Sequence, residues 1–277
     1  MSFDVSHPEV QEAIRRALEE DIGAGDLTTE LCVPADAFAT GRMVARQAMT
    51  LAGVELLGPI FDGCEVAIHH YSGERVEDGA EIAVVRGPTR KLLTGERTAL
   101  NFVQRLSGVA TLAAAYVRAI QGTRCRILDT RKTTPGLRRL EKMAVAAAGA
   151  TNHRWGLYDA VLLKNNHIAA AGGVRAALER TRASGAPVEI EVRTRAELDE
   201  ALEAGATHLL LDNLTPEQAR EWISHIGGRA QVELSGGITL ENVRAYAETG
   251  ADFVSSGALT HSAAAVDISF RLTPWSS

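Results

Sequence analysis

Three kinds of residue recur where the apolar runs of this sequence stop, and together they suit a small polyanion. The first is glycine. Ser235-Gly236-Gly237 leads into a helical stretch, and Ser256-Gly257-Ala258 follows the last apolar run. Glycine lets the main chain approach a phosphate closely, and the N–H groups at a helix start attract anions. The second is carboxylate. Glu191 and Asp212 end successive runs, which sets them side by side if those runs are neighbouring strands. Magnesium takes one or two carboxylates and fills its shell with waters and substrate oxygens, such as those of a sugar bearing a pyrophosphate. Glu191 and Asp212 suit three roles: direct metal ligands, ligands through water, or partners of sugar hydroxyls. The third kind is cation: Arg131 with Lys132, His153 with Arg154, and Lys164. Arginine grips a carboxylate with two parallel hydrogen bonds, while lysine offers a mobile point charge. Plainer readings stand beside these. The glycines also make turns, the carboxylates also make ion pairs, and Lys164 would equally serve as a Schiff-base nucleophile.

The charge distribution supports an anionic ligand of small size. The chain has 277 residues and a formal net charge of −6, which excludes the footprint of a nucleic-acid-binding surface over the whole molecule. Residues 122–170 nevertheless hold nine Lys or Arg against three acids. A local cationic field in an acidic chain points to a small anion rather than a polymer. For Arg138, Arg139 and Lys142 the expected role is only a solvated helix face. The three cysteines, Cys32, Cys64 and Cys125, are far apart and odd in number, so neither a disulfide framework nor a zinc site is expected. A reducing cytoplasm suits them. The N-terminal stretch MSFDVSHPEVQEAIRRALEEDIG has no long apolar run, so neither a signal peptide nor a membrane span is expected.

Two kinds of rhythm position these residues. Residues 8–20 have helical spacing, with Pro8 at the first turn. DIGAGDLTTELCVP then reads as a loop. Short strand-like segments follow at Ala39–Ala45, Thr50–Gly53, Cys64–Tyr71 and Glu81–Val85. A long helical stretch from Lys91 to Gln121 joins the two halves, with Ser107-Gly108 as a place for a break. After Gly122, apolar runs at 126–129, 161–164, 188–192, 209–212, 232–235 and 253–256 alternate with helical stretches near 173–184, 195–204, 216–226 and 239–249. That is the beat of βα units and a parallel sheet. Polar residues at the ends of such strands are where βα barrels keep their active sites, and the last two loops there often bind phosphate. Six runs leave the closure of an eight-stranded barrel unestablished, and an open barrel fits equally well.

Longer motifs carry a family resemblance. GERTALNFVQRLSGVAT at 95–111, DTRKTTPGLR at 129–138, NHRWGLYDAVLLKNNHI at 152–168, LLLDN at 209–213, SGGI at 235–238 and SSGALTHS at 255–262 resemble quinolinate phosphoribosyltransferases, in the same order over nearly the whole chain. The resemblance implies an N-terminal α/β sandwich domain over 1–108 and an open, incomplete α/β barrel over 109–268; LTPWSS, in the tail 269–277, is a segment that could return to the first domain, and the sequence leaves that open. It implies decarboxylating phosphoribosyl transfer to quinolinate with Mg²⁺, in a homodimer or higher assembly whose sites are shared between subunits. Arg97 of the GERT motif would then reach the ring substrate across the interface. Thr130, Arg131, Lys132, His153, Arg154 and Lys164 would serve quinolinate and pyrophosphate. Glu191 and Asp212 would hold the ribose hydroxyls and the metal. Ser235, Gly236, Gly237, Ser256, Gly257 and Ala258 would cradle the 5′-phosphate beside His261. Two positions depart from the family pattern: Asn165 stands where an acid is common, and Leu234 where a small residue is frequent. The phrase SGERVEDGAEIAVVRG is similar to turns of biotinyl and lipoyl carrier domains, but it lacks their modifiable lysine. A scaffold relative with another substrate, a phosphosugar aldolase using Lys164, and a non-catalytic anion-binding or carrier module are the alternatives.

Overall fold

The structure, a computed structural model, describes residues 3–275; residues 276 and 277, at the end of that tail, lie outside them. Contacts divide the chain into two compact units. One comprises the chain up to Ala114, Thr133–Gly149 and the chain from Ser262 on; the other comprises Ala115–Lys132 and Ala150–His261.

The first unit is built on a four-stranded antiparallel sheet in the order Ile268–Pro274, Phe38–Ala45, Glu81–Pro88, Glu65–Ile68. Phe38–Ala45 alternates in burial, with Ala39, Met43 and Ala45 fully buried on one face, as period-two patterning requires. Three expectations need correction here. The Gly- and Thr-rich stretch is not all loop: Leu27–Cys32 is helical, because the Asp26 side chain caps it by accepting the Thr29 N–H at 3.0 Å. Thr50–Gly53 is not a strand beyond Met49–Thr50. Its backbone bonds to helix hydroxyls instead, Thr50 N–H to Thr111 Oγ1 at 2.9 Å and Ala52 N–H to Ser107 Oγ at 3.0 Å. Nor do Ser107 and Gly108 break the long helix, which runs unbroken over Thr89–Ala119. Gly108 is there for clearance: a Cβ at that position would lie 2.0 Å from the Ala264 carbonyl oxygen.

The motif-rich helix Arg138–Ala147 belongs to this unit, and its basic residues are not a solvated face. Leu140, Glu141, Lys142, Ala144 and Val145 are all buried, a set too wide for a helix with one face in water. Glu141, fully buried, accepts from Arg105 Nη2 at 2.8 Å, Thr134 N–H at 3.0 Å and Thr134 Oγ1 at 2.7 Å. Arg105 also donates to the Ala263 carbonyl at 2.6 Å. Arg105 of the GERTALNFVQRLSGVAT run and Thr134 of DTRKTTPG are therefore joined through the buried Glu141, whose role is architectural.

The second unit carries a six-stranded parallel sheet. Its order is Arg126–Leu128, Phe253–Ser255, Gln231–Ser235, His208–Asp212, Val188–Val192, Val161–Leu163. Among the described residues the two outer strands do not pair with each other, so the barrel is open. Thr151 adds only a parallel bridge to Leu128. Alternate residues face opposite ways along each strand. Ile127, Ile190, Val192, Leu209, Leu211, Val232, Leu234 and Val254 are at most 2% exposed. The intervening set, including Leu162, Glu191, Leu210, Asp212, Glu233, Ser235 and Ser255, lines a cavity inside the barrel. The same parity explains why Leu234 is harmless beside the SGG turn: it lies on the other face.

Candidate active site

The cavity at the C-terminal ends of these strands has a volume of about 960 Å³. That is the upper range for small-molecule pockets and leaves room for two substrates at once. Its cationic wall comes from three places. Arg131 and Lys132 follow the strand Arg126–Leu128, His153 and Arg154 follow the Thr151 bridge, and Lys164 follows Val161–Leu163. Asp129, fully buried, fixes the first two places together: it accepts from Asn152 Nδ2 at 2.6 Å and from the His153 N–H at 2.8 Å. Burial and the neighbouring Arg131 guanidinium both lower the pKa of Arg154. Holding two guanidinium groups close costs free energy that an anion between them would offset.

Facing these cations are the two glycine-rich loops. Gly236 has φ 97°, and a Cβ there would lie 2.2 Å from Asn213 Oδ1, so only glycine fits. Asn213 is itself the one non-glycine residue with positive φ among those described, at 57°. Its Nδ2 donates to Asp212 Oδ2 at 2.7 Å and its N–H to the Ser235 carbonyl at 2.8 Å, which orients the carboxylate and locks adjacent strand ends together. Ser256 Oγ donates to the Ile238 carbonyl at 2.9 Å, joining the two loops. Thr260 Oγ1 donates to the Lys132 carbonyl at 2.7 Å, tying the last loop to the first strand's end.

Glu191 and Asp212 come together at this mouth, as their places at successive strand ends require. The Arg193 Nη2 nitrogen lies 2.9 Å from Glu191 Oε1 and 3.8 Å from Asp212 Oδ2, so a single cation reaches both. Lys164 Nζ lies 3.7 Å from the other oxygen of Glu191. Oxygen donors so placed fit a hard divalent ion, each giving one ligand and leaving the rest of the shell to substrate and water.

Comparisons with known proteins agree with this geometry. The family model for the C-terminal domain of quinolinate phosphoribosyl transferase matches residues 109–271, and that for its N-terminal domain matches 26–107. This chain belongs to the quinolinate phosphoribosyltransferase family. It is 42% identical to the nicotinate-nucleotide pyrophosphorylase [carboxylating] of Mycobacterium leprae, over 98% of this chain and 100% of that protein. It is 38% identical to the probable enzyme of that name from Bacillus subtilis, over 97% of this chain and 95% of that one. The crystal structure of NadC from Streptococcus pyogenes superposes with a TM-score of 0.93 at 37% identity, covering all of both chains.

Of the site residues read from the sequence of this phosphoribosyltransferase, all but Arg97 line the one cavity. Arg97 is exposed on the long helix of the other unit. His167 of the KNNHI motif has a local role, accepting the Lys164 N–H at Nδ1 and capping helix Asn165–Ala171. Reading for strand ends missed Glu189 and Glu233, which stand one inward position deeper. Their Oε2 atoms lie 3.1 and 3.3 Å from His153 Nε2. The spacing VEIEV, with two glutamates on one strand face, was the available signal.

Burial alone would lower the pKa of His153, but Glu189 and Glu233 outweigh it and push it up to about 10. Burial, and then the Glu233 charge, holds Glu189 above the usual carboxylate range. The Arg154 N–H points at His153 Nδ1 from 2.7 Å and opposes a second ring proton. The two carboxylates at Nε2 favour the imidazolium at neutral pH. Its contribution to stability is then complete below its ordinary value of 6.5 and is lost as pH rises through about 10. The His153 ring signals in an NMR titration are expected to stay in the protonated position at pH 8. A midpoint near the ordinary histidine value would contradict the assignment.

Proposed function

We propose that this chain transfers the phosphoribosyl group of phosphoribosyl pyrophosphate to quinolinate, giving nicotinate mononucleotide, pyrophosphate and carbon dioxide. The observation that carries this reading is the cationic wall: Arg131 and Arg154 side by side, with His153, Lys132 and Lys164, opposite two glycine-rich loops in one cavity. A ring with two adjacent carboxylates is the anion that such a wall suits, and a sugar phosphate suits the loops.

Arg131 and Arg154 bind the ring carboxylates and point the ring nitrogen at C1 of the ribose, with His153, whose Nε2 faces Glu189 and Glu233, lining the pocket beside them. Lys132 and Lys164 attract the pyrophosphate, whose bond to C1 breaks as the nitrogen attacks. Glu191 and Asp212 hold the ribose hydroxyls and favour the positive charge that builds on the sugar. Glu191 and Asp212 would also hold Mg²⁺, which when bound supplies positive charge to the pyrophosphate oxygens. The product's ring nitrogen is cationic, so the 2-carboxylate can leave as carbon dioxide with its bonding electrons kept by the ring carbon, which then takes a proton. Positioning and fixed charge do the work, with no covalent intermediate on the protein.

The enzyme works as a homodimer in this proposal, with Arg97 of one subunit serving the other's ring pocket. Its exposure on the long helix supports that role. Three free cysteines support a reducing cytoplasm. Among the described residues no helix is long and apolar enough to cross a membrane. The test is substrate choice. With phosphoribosyl pyrophosphate and Mg²⁺, quinolinate is expected to give product and nicotinate to give almost none, because one carboxylate leaves part of the cationic wall unpaired. Equal use of both rings would overturn the two-carboxylate reading.

A further inference from the structure

Arg193 stands at the strand end without a part in the reaction just described. Its main chain is pinned: its N–H donates to Glu197 Oε2 at 2.8 Å, within the capping box that Thr194 and Glu197 make for helix Arg195–Glu203. From there the side chain reaches back over the cavity mouth to Glu191 at 2.9 Å and Asp212 at 3.8 Å. Asn165, with its amide turned to satisfy both ends, offers its oxygen to the same guanidinium, 2.8 Å from Nη2 and 2.6 Å from Nε. Glu191 has a cation on each oxygen, because Lys164 takes the other at 3.7 Å. Lys164 and Arg193 together balance the charges of Glu191 and Asp212. The neutral amide at Asn165 adds no charge that would draw the guanidinium away.

A divalent ion approaching this carboxylate pair must move the guanidinium off the oxygens it needs, or sit beside a like charge. Both outcomes weaken its binding. A sugar pyrophosphate changes the balance, since it brings several anionic oxygens to which both the ion and the guanidinium can turn.

We propose that Arg193 is the built-in counter-ion of Glu191 and Asp212: it keeps a free divalent ion off them, so that the metal enters only together with the sugar pyrophosphate. The proposal rests on the reading of those two carboxylates as the metal's protein ligands. It makes substrate and metal binding strongly coupled, and each must raise the affinity of the other by the same factor.

Mn²⁺ titrated into the full-length protein and followed by electron paramagnetic resonance tests this without turnover. In the absence of phosphoribosyl pyrophosphate, Arg193→Gln is expected to bind Mn²⁺ about tenfold or more tightly than the wild type, as removal of a neighbouring like charge predicts. Asn165→Asp, which leaves Arg193 in place but competes for it, is expected to tighten free Mn²⁺ binding as well. With phosphoribosyl pyrophosphate present, all three proteins are expected to retain the ion. Unchanged Mn²⁺ affinity in both variants without the sugar pyrophosphate, with retention in its presence, overturns the role of Arg193 and leaves the metal reading standing. Failure of every protein to retain Mn²⁺ even with the sugar pyrophosphate overturns both.

Discussion

Arg131→Ala is expected to lower kcat/KM for quinolinate by about 10²–10³, the cost of losing one charged contact to the transition state in a water-poor site. The physical reason is the pairing with Arg154. Two guanidinium groups facing one cavity are poorly placed for each other and well placed for an anion that lies between them. Removing one leaves the two ring carboxylates with a single guanidinium to share. The same change relieves the repulsion on Arg154, so the thermal midpoint is expected to fall by less than about 4 °C, the equivalent of about 1 kcal/mol in a protein of this size. A large loss of activity with little loss of stability identifies a binding group rather than a packing group. Unchanged turnover of quinolinate would remove Arg131 from the site.

Glu191→Gln is the second change with a large expected effect, and it has a different kinetic signature. The side chain is almost fully buried at the cavity mouth, between Lys164 and Arg193. Removing its charge leaves both cations in place but takes away one of the two carboxylates that would hold Mg²⁺ and the ribose hydroxyls. What is lost is the negative charge facing the ribose as positive charge builds on it. We expect kcat to fall by about 10²–10³, with KM for phosphoribosyl pyrophosphate rising by a smaller factor through the weakened metal and ribose contacts. Steady-state kinetics varying that substrate separate the cases. A raised KM with unchanged kcat would mean that Glu191 serves only ground-state binding. Stability is expected to fall by only about 1 kcal/mol, because both cationic partners reach water. Glu141 is the contrast: it too is a buried acid with an arginine partner, but its contacts knit the first unit together and face no substrate.

The site was legible wherever strand periodicity decides where a side chain points. Glu191, Asp212, Ser235 and Lys164 sit at inward positions of strand ends, and the alternation of apolar and polar residues marks them. Glu189 and Glu233 obey the same alternation but lie one layer deeper, where a buried acid is unexpected until His153 is seen between them. Arg193 was hidden for a different reason. It follows the strand, so its direction is set by the capping box of the next helix and not by strand periodicity.

The same contrast holds for the fold. The βα beat gave the parallel sheet, because each run is apolar on its outward face and the helices recur at regular intervals. Side-chain-to-backbone bonds were not visible in that pattern. The Asp26 cap turned an expected loop into a helix, and the hydroxyls of Ser107 and Thr111 took the backbone of an expected strand. The burial of Lys142 was missed because the helix carrying it packs on more than one side.

The central claim is tested most directly by counting carbon dioxide against nucleotide. Purified protein would be given carboxyl-labelled quinolinate, phosphoribosyl pyrophosphate and Mg²⁺, and labelled carbon dioxide and nicotinate mononucleotide would be measured in the same samples over time. The account predicts one carbon dioxide for each nucleotide throughout, with both absent when the sugar pyrophosphate is omitted. Folded protein that binds the sugar pyrophosphate yet yields neither product would contradict it, and would mean that this cavity serves another ring.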